Sequence, residues 1–269
     1  MPCIAIAGLR VGLKGSPAPV GAAVSPFLVP EGLVPEGPVD LAVDWKVAGG
    51  LPNPDWKGEA DFEDLPGGVL RFRRTDFEGC FDPVSGKGTL VTAPLPNVLR
   101  AALRYLVSLA LVERDGFLLH SAGLLVSDRA YLLCGASGAG KSTAAGLAAG
   151  RAEVLSDELC AVRREAGVWK VWGTPFAGAL EDLGSIRGGP LAALAFLEQA
   201  PEVRADPIGS AEAVRRLYPQ VFRPSRDPGR HARWLALGAD LCARTACLNL
   251  RFRKDPAFLE VLGGHEKAA

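Results

Sequence analysis

The sequence carries no excess of charge of either sign: 30 Lys and Arg stand against 30 Asp and Glu in 269 residues. Without a global positive field, neither a nucleic-acid backbone nor an anionic membrane surface is an expected partner. The six cysteines contain no Cys-x-x-Cys pair, and no histidine stands near two of them at zinc-finger spacing. Cys134, Cys160 and Cys242 lie in apolar runs, where a free thiol behaves as a small hydrophobe. Reduced, structural cysteines in a reducing compartment are therefore expected. The first ten residues, Met1 to Arg10, lack the basic leader and long apolar stretch of a secretory signal. The longest apolar stretch, 101–112, is broken by Arg104 and is shorter than the roughly 20 residues a membrane span requires. These absences predict a soluble, cytoplasmic protein. What is present is apolar substance: 48% of the residues, enough for one large core with a smaller satellite.

The chain changes texture near residue 94. Before it, Pro and Gly are dense, and short apolar stretches lie between them, at 4–9, 39–43 and 69–72. The alternation in Val69-Leu-Arg-Phe-Arg and Thr89-Leu-Val-Thr suits half-exposed strands, and Pro66-Gly-Gly and Asp82-Pro-Val-Ser-Gly read as turns. Residues 1–94 are thus expected to form a β-rich region of unknown role, and 95–269 a nucleotide-binding domain. The second region opens with a helix from Asn97, taken as its N-cap, to Glu113, with Leu99, Leu103, Leu106, Leu109 and Leu111 at helical spacing. Beyond it, a long or paired strand at 117–126 leads to a buried strand at 130–134. A small-residue helix at 141–149 is followed by a strand at 152–156. A hairpin is expected around Ala166-Gly167, strands at 191–197 and 246–252, and helices at 210–218 and 256–262. Arg223 to Arg233 reads as a basic, solvated loop, and no internal repeat is visible.

The chemistry is concentrated in Gly135-Ala136-Ser137-Gly138-Ala139-Gly140-Lys141-Ser142, with Thr143 behind. This is the pattern G-x-x-x-x-G-K-[ST]. Glycines let the backbone curl so that successive N–H groups face an anion, and the following helix adds its N-terminal partial charge. Lys141 brings a full charge to the β- and γ-phosphates, and Ser142 offers a hydroxyl to Mg²⁺. A buried strand before it and a helix after it are the context the motif needs. A glycine-rich turn that binds nothing would have no use for Lys141 and Ser142 together.

Asp157-Glu158 follows at the end of the next strand, on the edge where ligands of such units bind. A carboxylate there can hold Mg²⁺ or take a proton from an attacking hydroxyl; the plainer reading is a cap or a solvated turn. Asp157 comes sixteen positions after Lys141 (157 minus 141), a short spacing that favours kinases over transporter-type ATPases. His120 sits in an apolar strand, where a histidine is usually a satisfied core residue. Its strand leads directly into the phosphate-loop strand, so a neutral His120 beside Asp157 could orient that acid, with Ser121 and Gly123 in a crowded polar pocket.

These three motifs together, Leu119-His-Ser-Ala-Gly123, Tyr131 to Thr143 and Val154-Leu-Ser-Asp-Glu158, resemble the core of the HPr kinase/phosphorylase family over about residues 95 to 200. The resemblance is nearer still to the HPr-kinase-related proteins found beside peptide-modification genes. It implies an α/β fold of the phosphoenolpyruvate carboxykinase type, with a mixed sheet carrying the phosphate loop. It also implies ATP- and Mg²⁺-dependent phosphorylation of a serine hydroxyl. Transferred by position, Asp157 is the catalytic base, His120 its partner and Lys141 the phosphate clamp. Ser142 and Glu158 are metal-side ligands, and Glu181 occupies the place of a further Mg²⁺ ligand. An arginine that steadies the transferring phosphate is implied, with Arg187, Arg223 and Arg226 as candidates. The chain departs from the family in having Glu158 where aspartate is usual, and its C-terminal docking loop is not recognisable.

The leading expectation is a cytoplasmic kinase of a Ser or Thr hydroxyl in a peptide or small protein, such as the precursor of a modified peptide. A kinase of a small metabolite and a non-catalytic nucleotide-binding, peptide-delivery module are the alternatives. Oligomerisation is left open.

Overall fold

The structure, a computed structural model, describes residues 3–15, 23–28, 39–49, 51, 60–176, 178, 180 and 184–264. It is mixed α/β and contains two mixed sheets. The chain divides into two compact units, Met1–Glu113 with Arg223–His231, and Arg114–Phe222 with Ala232–Ala269.

In the first unit the strands are β1 (Cys3–Ile6), β2 (Leu9–Lys14), β3 (Leu41–Val47), β4 (Asp61–Asp64), β5 (Leu70–Arg74), β6 (Phe77–Asp82) and β7 (Lys87–Thr92). They form one sheet in the order β1-β2-β3-β7-β6-β5-β4, parallel at β2–β3 and β3–β7 and antiparallel elsewhere. The expected alternation is plain in β5, where Leu70 and Phe72 are buried and Arg71 and Arg73 exposed, and β3 shows it too: Leu41, Val43 and Trp45 are buried, while Ala42, Asp44 and Lys46 are exposed. Trp45 satisfies its buried indole N–H on Thr92 Oγ1 at 2.9 Å.

Helix α1 (Pro96–Val112) packs on β6 and β7, with Tyr105 set among the rings of Phe62, Phe72 and Phe77. It does not start as expected. Asn97 lies inside the first turn, Leu95 is the N-cap without a side-chain bond, and Pro96 occupies the first helical position. Proline needs no cap there, because its missing N–H is one the helix start leaves unbonded anyway.

The segment 223–231 is not a solvated loop. Arg230 is 9% exposed; its guanidinium bonds Asp64 and the Gly68 carbonyl, and Asp227 accepts the Arg230 N–H at 2.7 Å. A continuous division at 94/95 therefore differs from the observed units in two ways. The helix after Pro94 packs on the first sheet, and a piece from beyond residue 222 is built into the same unit.

In the second unit the elements are β8 (Gly116–Val126), β9 (Arg129–Cys134), α2 (Lys141–Ala148), β10 (Glu153–Ser156), β11 (Leu159–Glu165) and β12 (Val168–Trp172). They continue with β13 (Gly188–Gln199), β14 (Arg204–Pro207), α3 (Ser210–Leu217), β15 (Val221–Phe222), α4 (Pro228–Arg244, of which 228–231 belong to the first unit), β16 (Ala246–Phe252) and α5 (Phe258–Gly263). Two-residue turns close the hairpins at Ser127-Asp128 and Ala166-Gly167, with positive φ at all four positions, as the right-handed strand twist demands.

The long strands β8 and β13 change partners along their length. The first half of β8 pairs with β11 and the second with β9 and β10. The start of β13 pairs with β12, and its remainder lies parallel between β9 and β16. The pairings β8–β11–β12–β13–β9 thus return to β8 in a closed ring. On one face Ala144, Ala145 and Ala148 of α2 pack against Ala122 and Leu124 of β8, Leu133 of β9, Ala195 of β13 and Leu250 of β16. Their small side chains bring the helix close to the sheet. Among the described residues no helix is long and apolar enough to cross a membrane.

Candidate functional site

The second sheet gathers the motif residues by strand direction. Strands β9 and β10 both run antiparallel to β8 and finish near its centre, where Cys134 faces Ser121 and Ser156 faces Gly123. Parallel strands β13 and β16 finish beside β9, with Phe196 opposite Cys134 and Gln199 opposite Phe252. One edge therefore carries, in order, Asp157 after β10, His120 on β8, the glycine-rich loop 135–142 after β9, Gln199 on β13 and Phe252 on β16. This is the carboxyl edge of the parallel strands β9, β13 and β16.

The loop has the shape its glycines permit. Ala139 N–H donates to the Ala136 carbonyl at 3.1 Å, closing a turn whose tip, Ala136 to Gly138, is exposed. Gly140 is the N-cap of α2 at φ 104°, and a Cβ there would lie 2.7 Å from Cζ of Phe252. Left-handed backbone and ring contact both require glycine at this position. Lys141 Nζ donates to the carbonyls of Gly135 at 2.8 Å and Ala136 at 3.2 Å, so its charge lies along the loop. Ser142 is partly buried and Thr143 exposed at the start of α2. Just before the loop, burial pushes the Cys134 thiol pKa well up, with Cys160 adding to the rise and Lys141 opposing it.

The two acids differ sharply. Asp157 is 1% exposed, and its oxygens accept N–H groups from Gly178 at 2.9 Å and Leu180 at 3.2 Å. Gly178 has no Cβ because one would lie 3.0 Å from both Asp157 Oδ2 and the Glu158 Cβ. Glu158 is 42% exposed, and its Oε1 is 3.4 Å from Nδ1 of His120. The carboxylate beside His120 is thus that of Glu158, where the sequence suggested Asp157. Both acids lie in the bend between β10 and β11, outside the strands, where side-chain alternation no longer fixes which of them turns toward His120, whose cross-strand neighbour is Leu159. Ser121 is fully buried and donates to the Leu119 carbonyl at 3.2 Å, which makes it a satisfied core hydroxyl.

Arg187 is held at the other end of β10, by Glu153 at 2.6 Å and Asp128 at 2.7 Å. Asp128 lies in the β8–β9 turn, the far end of β9 from the loop, so Arg187 is not placed to reach a phosphate there. Arg223 and Arg226 belong to the first unit, and Glu181 lies outside the described residues. Sequence reasoning missed Gln199, whose Nε2 donates to the Gly138 carbonyl at 2.9 Å, and Phe252, which backs Gly140. Phe252 ends a strand it had located and Gln199 lies two residues beyond another (191–197), so the length of β13 and its parallel pairing with β9 were the absent pieces of information.

These features define a mixed α/β protein with a glycine-rich strand–helix turn and an acidic pair on one sheet edge. No protein-family model matches the sequence, and no curated protein matches it. Among solved structures it is similar to the HPr(Ser) kinase/phosphatase from Coxiella burnetii, with a TM-score of 0.26 and 12% identity over 34% of this chain and 72% of that one. A likeness of that size carries no argument about this chain.

Proposed function

We propose that the chain is an ATP-dependent kinase of the HPr-kinase-like kind, with a phosphoenolpyruvate carboxykinase-type core, that phosphorylates a Ser or Thr hydroxyl of a peptide or small protein in the cytoplasm. The observation that carries this reading is the shared edge: an open phosphate loop with Lys141 along it, and two carboxylates one strand away across β8. Backbone N–H groups of Gly135 to Thr143 would cradle the phosphates, with Lys141 on the β- and γ-groups.

The donor set suits Mg²⁺ held largely by the nucleotide, which calls for only one or two protein groups. Ser142 and the half-exposed Glu158 supply them, while Glu181 is the further ligand implied by the family resemblance. Bound there, Mg²⁺ would neutralise charge on the transferring phosphoryl group. The acceptor oxygen forms a bond to Pγ, the bond from Pγ to the bridging oxygen of ADP breaks, and the hydroxyl proton passes to Asp157. The Gly178 and Leu180 amides fix the Asp157 carboxylate. His120 acts through Glu158, 3.4 Å away.

A labelled-ATP transfer assay with Ser- and Thr-containing peptides tests this reading. Lys141→Ala is expected to weaken nucleotide binding about 10- to 100-fold. Asp157→Asn is expected to abolish transfer while ATP still binds; transfer at the wild-type rate in that variant removes the assignment of the base. Transfer lost instead in Glu158→Gln alone would move the proton-accepting role to the Glu158–His120 pair. The near-complete burial of Asp157 favours a second reading, a nucleotide-binding module without transfer. ATP binding with no labelled acceptor would support it.

A further inference from the structure

A cleft of about 340 Å³ opens beside the phosphate loop, between the ends of β13 and β16. Gly140, Thr143, Gln199, Pro201, Phe252 and Lys254 line it. We propose that this cleft receives the nucleoside end of the nucleotide, so that the polyphosphate runs along the strand edge with its γ end toward β8 and β10. The proposal rests on the phosphate-loop reading above and gives that site a direction.

Strand order carries the argument. The acids and His120 lie on β10 and β8, to one side of β9; the cleft lies on β13 and β16, to the other. A γ-phosphoryl group must face the acids if a hydroxyl is to be activated, so the opposite end of the molecule points across β13. Thr143 joins the two places, because it is two residues beyond Lys141 on α2 and also lines the cleft. An acceptor substrate placed in the cleft would have β9 and its loop between itself and Asp157. The acceptor therefore belongs on the β8–β10 side.

The cleft is also built to keep its shape. Ala200 N–H donates to the Phe252 carbonyl at 3.0 Å, tying the end of β13 to the end of β16. Phe252 is 2% exposed, stacked edge-on against Phe258 at 6.1 Å between ring centres, and forms a fixed apolar wall under Gly140. Gln199 spends its amide N–H on the Gly138 carbonyl and keeps Oε1 as an acceptor for a ribose hydroxyl or an exocyclic amine. Lys254 is exposed on the rim, where its side chain would lie over the nucleoside, while Arg253 is paired with Asp255 at 2.7 Å. An apolar wall with a few convergent polar groups is the usual make-up of a small-molecule site.

The test compares Mg-ATP with inorganic tripolyphosphate, which has the phosphates and no nucleoside, by calorimetric titration of the full chain. Ala200→Trp, which fills the cleft, is expected to weaken ATP binding about tenfold or more and to leave tripolyphosphate binding unchanged. Lys254→Ala, a surface change that does not threaten folding, is expected to give a smaller loss with the same preference. Retained tripolyphosphate binding shows that each variant is folded. Equal losses for both ligands in Lys254→Ala, or no loss of ATP binding in either variant, overturn the proposal. Wild-type binding of tripolyphosphate as tightly as ATP overturns it too and leaves the phosphate-loop reading standing. Failure of the wild type to bind either ligand overturns both.

Discussion

The backbone N–H of Gly178 donates to Oδ1 of Asp157 at 2.9 Å, so a loop twenty-one residues onward holds the acid that ends β10. The contact makes a prediction about folding that is separate from chemistry. Asparagine at 157 keeps one acceptor oxygen but turns an NH₂ group toward the second backbone N–H. With Asp157 1% exposed, Asp157→Asn should cost about 1–3 kcal/mol, read as a lower urea midpoint. An unchanged midpoint would mean the loop does not hold Asp157 in solution.

Gly140→Ala should be harmful for two separable reasons. An L-residue at φ 104° is strained by about 1–2 kcal/mol, and the new Cβ would meet the Phe252 ring at 2.7 Å. Phe252→Leu in the same chain should relieve the second cost and leave the first. A double-mutant cycle by thermal unfolding is expected to show partial recovery; strict additivity would argue that the ring does not press on this position.

Arg230 joins Asp64, the Gly68 carbonyl and the Ser225 hydroxyl. Arg230→Ala should destabilise the first unit by about 1–3 kcal/mol, because three acceptors lose a charged donor while Asp64, partly solvated, retains some hydration. Denaturation followed by far-UV circular dichroism would record it. Arg230→Lys should recover little, since an ammonium does not present the guanidinium fork.

The Cys160 thiol is buried, and desolvation pushes its pKa up to about 12 from 9.0, with the Ser121 hydroxyl opposing the rise and the Asp157 charge adding to it. A thiol whose folded pKa is raised stabilises the fold below the unfolded value. The stabilisation fades as pH climbs from about 9 toward 12, where the unfolded chain has released a proton that the folded one keeps. Stability should therefore fall across that window, and Cys160→Ala should flatten the fall. Iodoacetamide at pH 8 should leave Cys160 unmodified until the chain is unfolded.

Much of this architecture was legible because its signals are local. The loop glycines, Lys141 and Ser142 are contiguous, and so are the alternation in β5 and β7 and the turn at Ala166-Gly167. Pairing is not local. Nothing in residues 188–199 says that one strand will hydrogen-bond β12 at its start and β9 and β16 beyond it, so Gln199 could not be placed against Gly138. Helix α4 was overlooked although Trp234, Leu237 and Leu241, all buried, have helical spacing. The prolines and arginines before them gave the segment the look of a loop. The partner of His120 was missed for a related reason, since choosing between Asp157 and Glu158 depends on how the bend between β10 and β11 turns each one.

The place of Arg223–His231 in the first unit has a consequence for how the chain is made. A ribosome delivers Asp64 and Gly68 long before Arg230, and all of β8 to β15 is synthesised in between. The earlier unit must wait, incomplete, while most of the later one emerges. A gene cut after codon 113 would then yield a sheet and a helix lacking their last strut, and adding residues 223–231 as a separate peptide should be what steadies them.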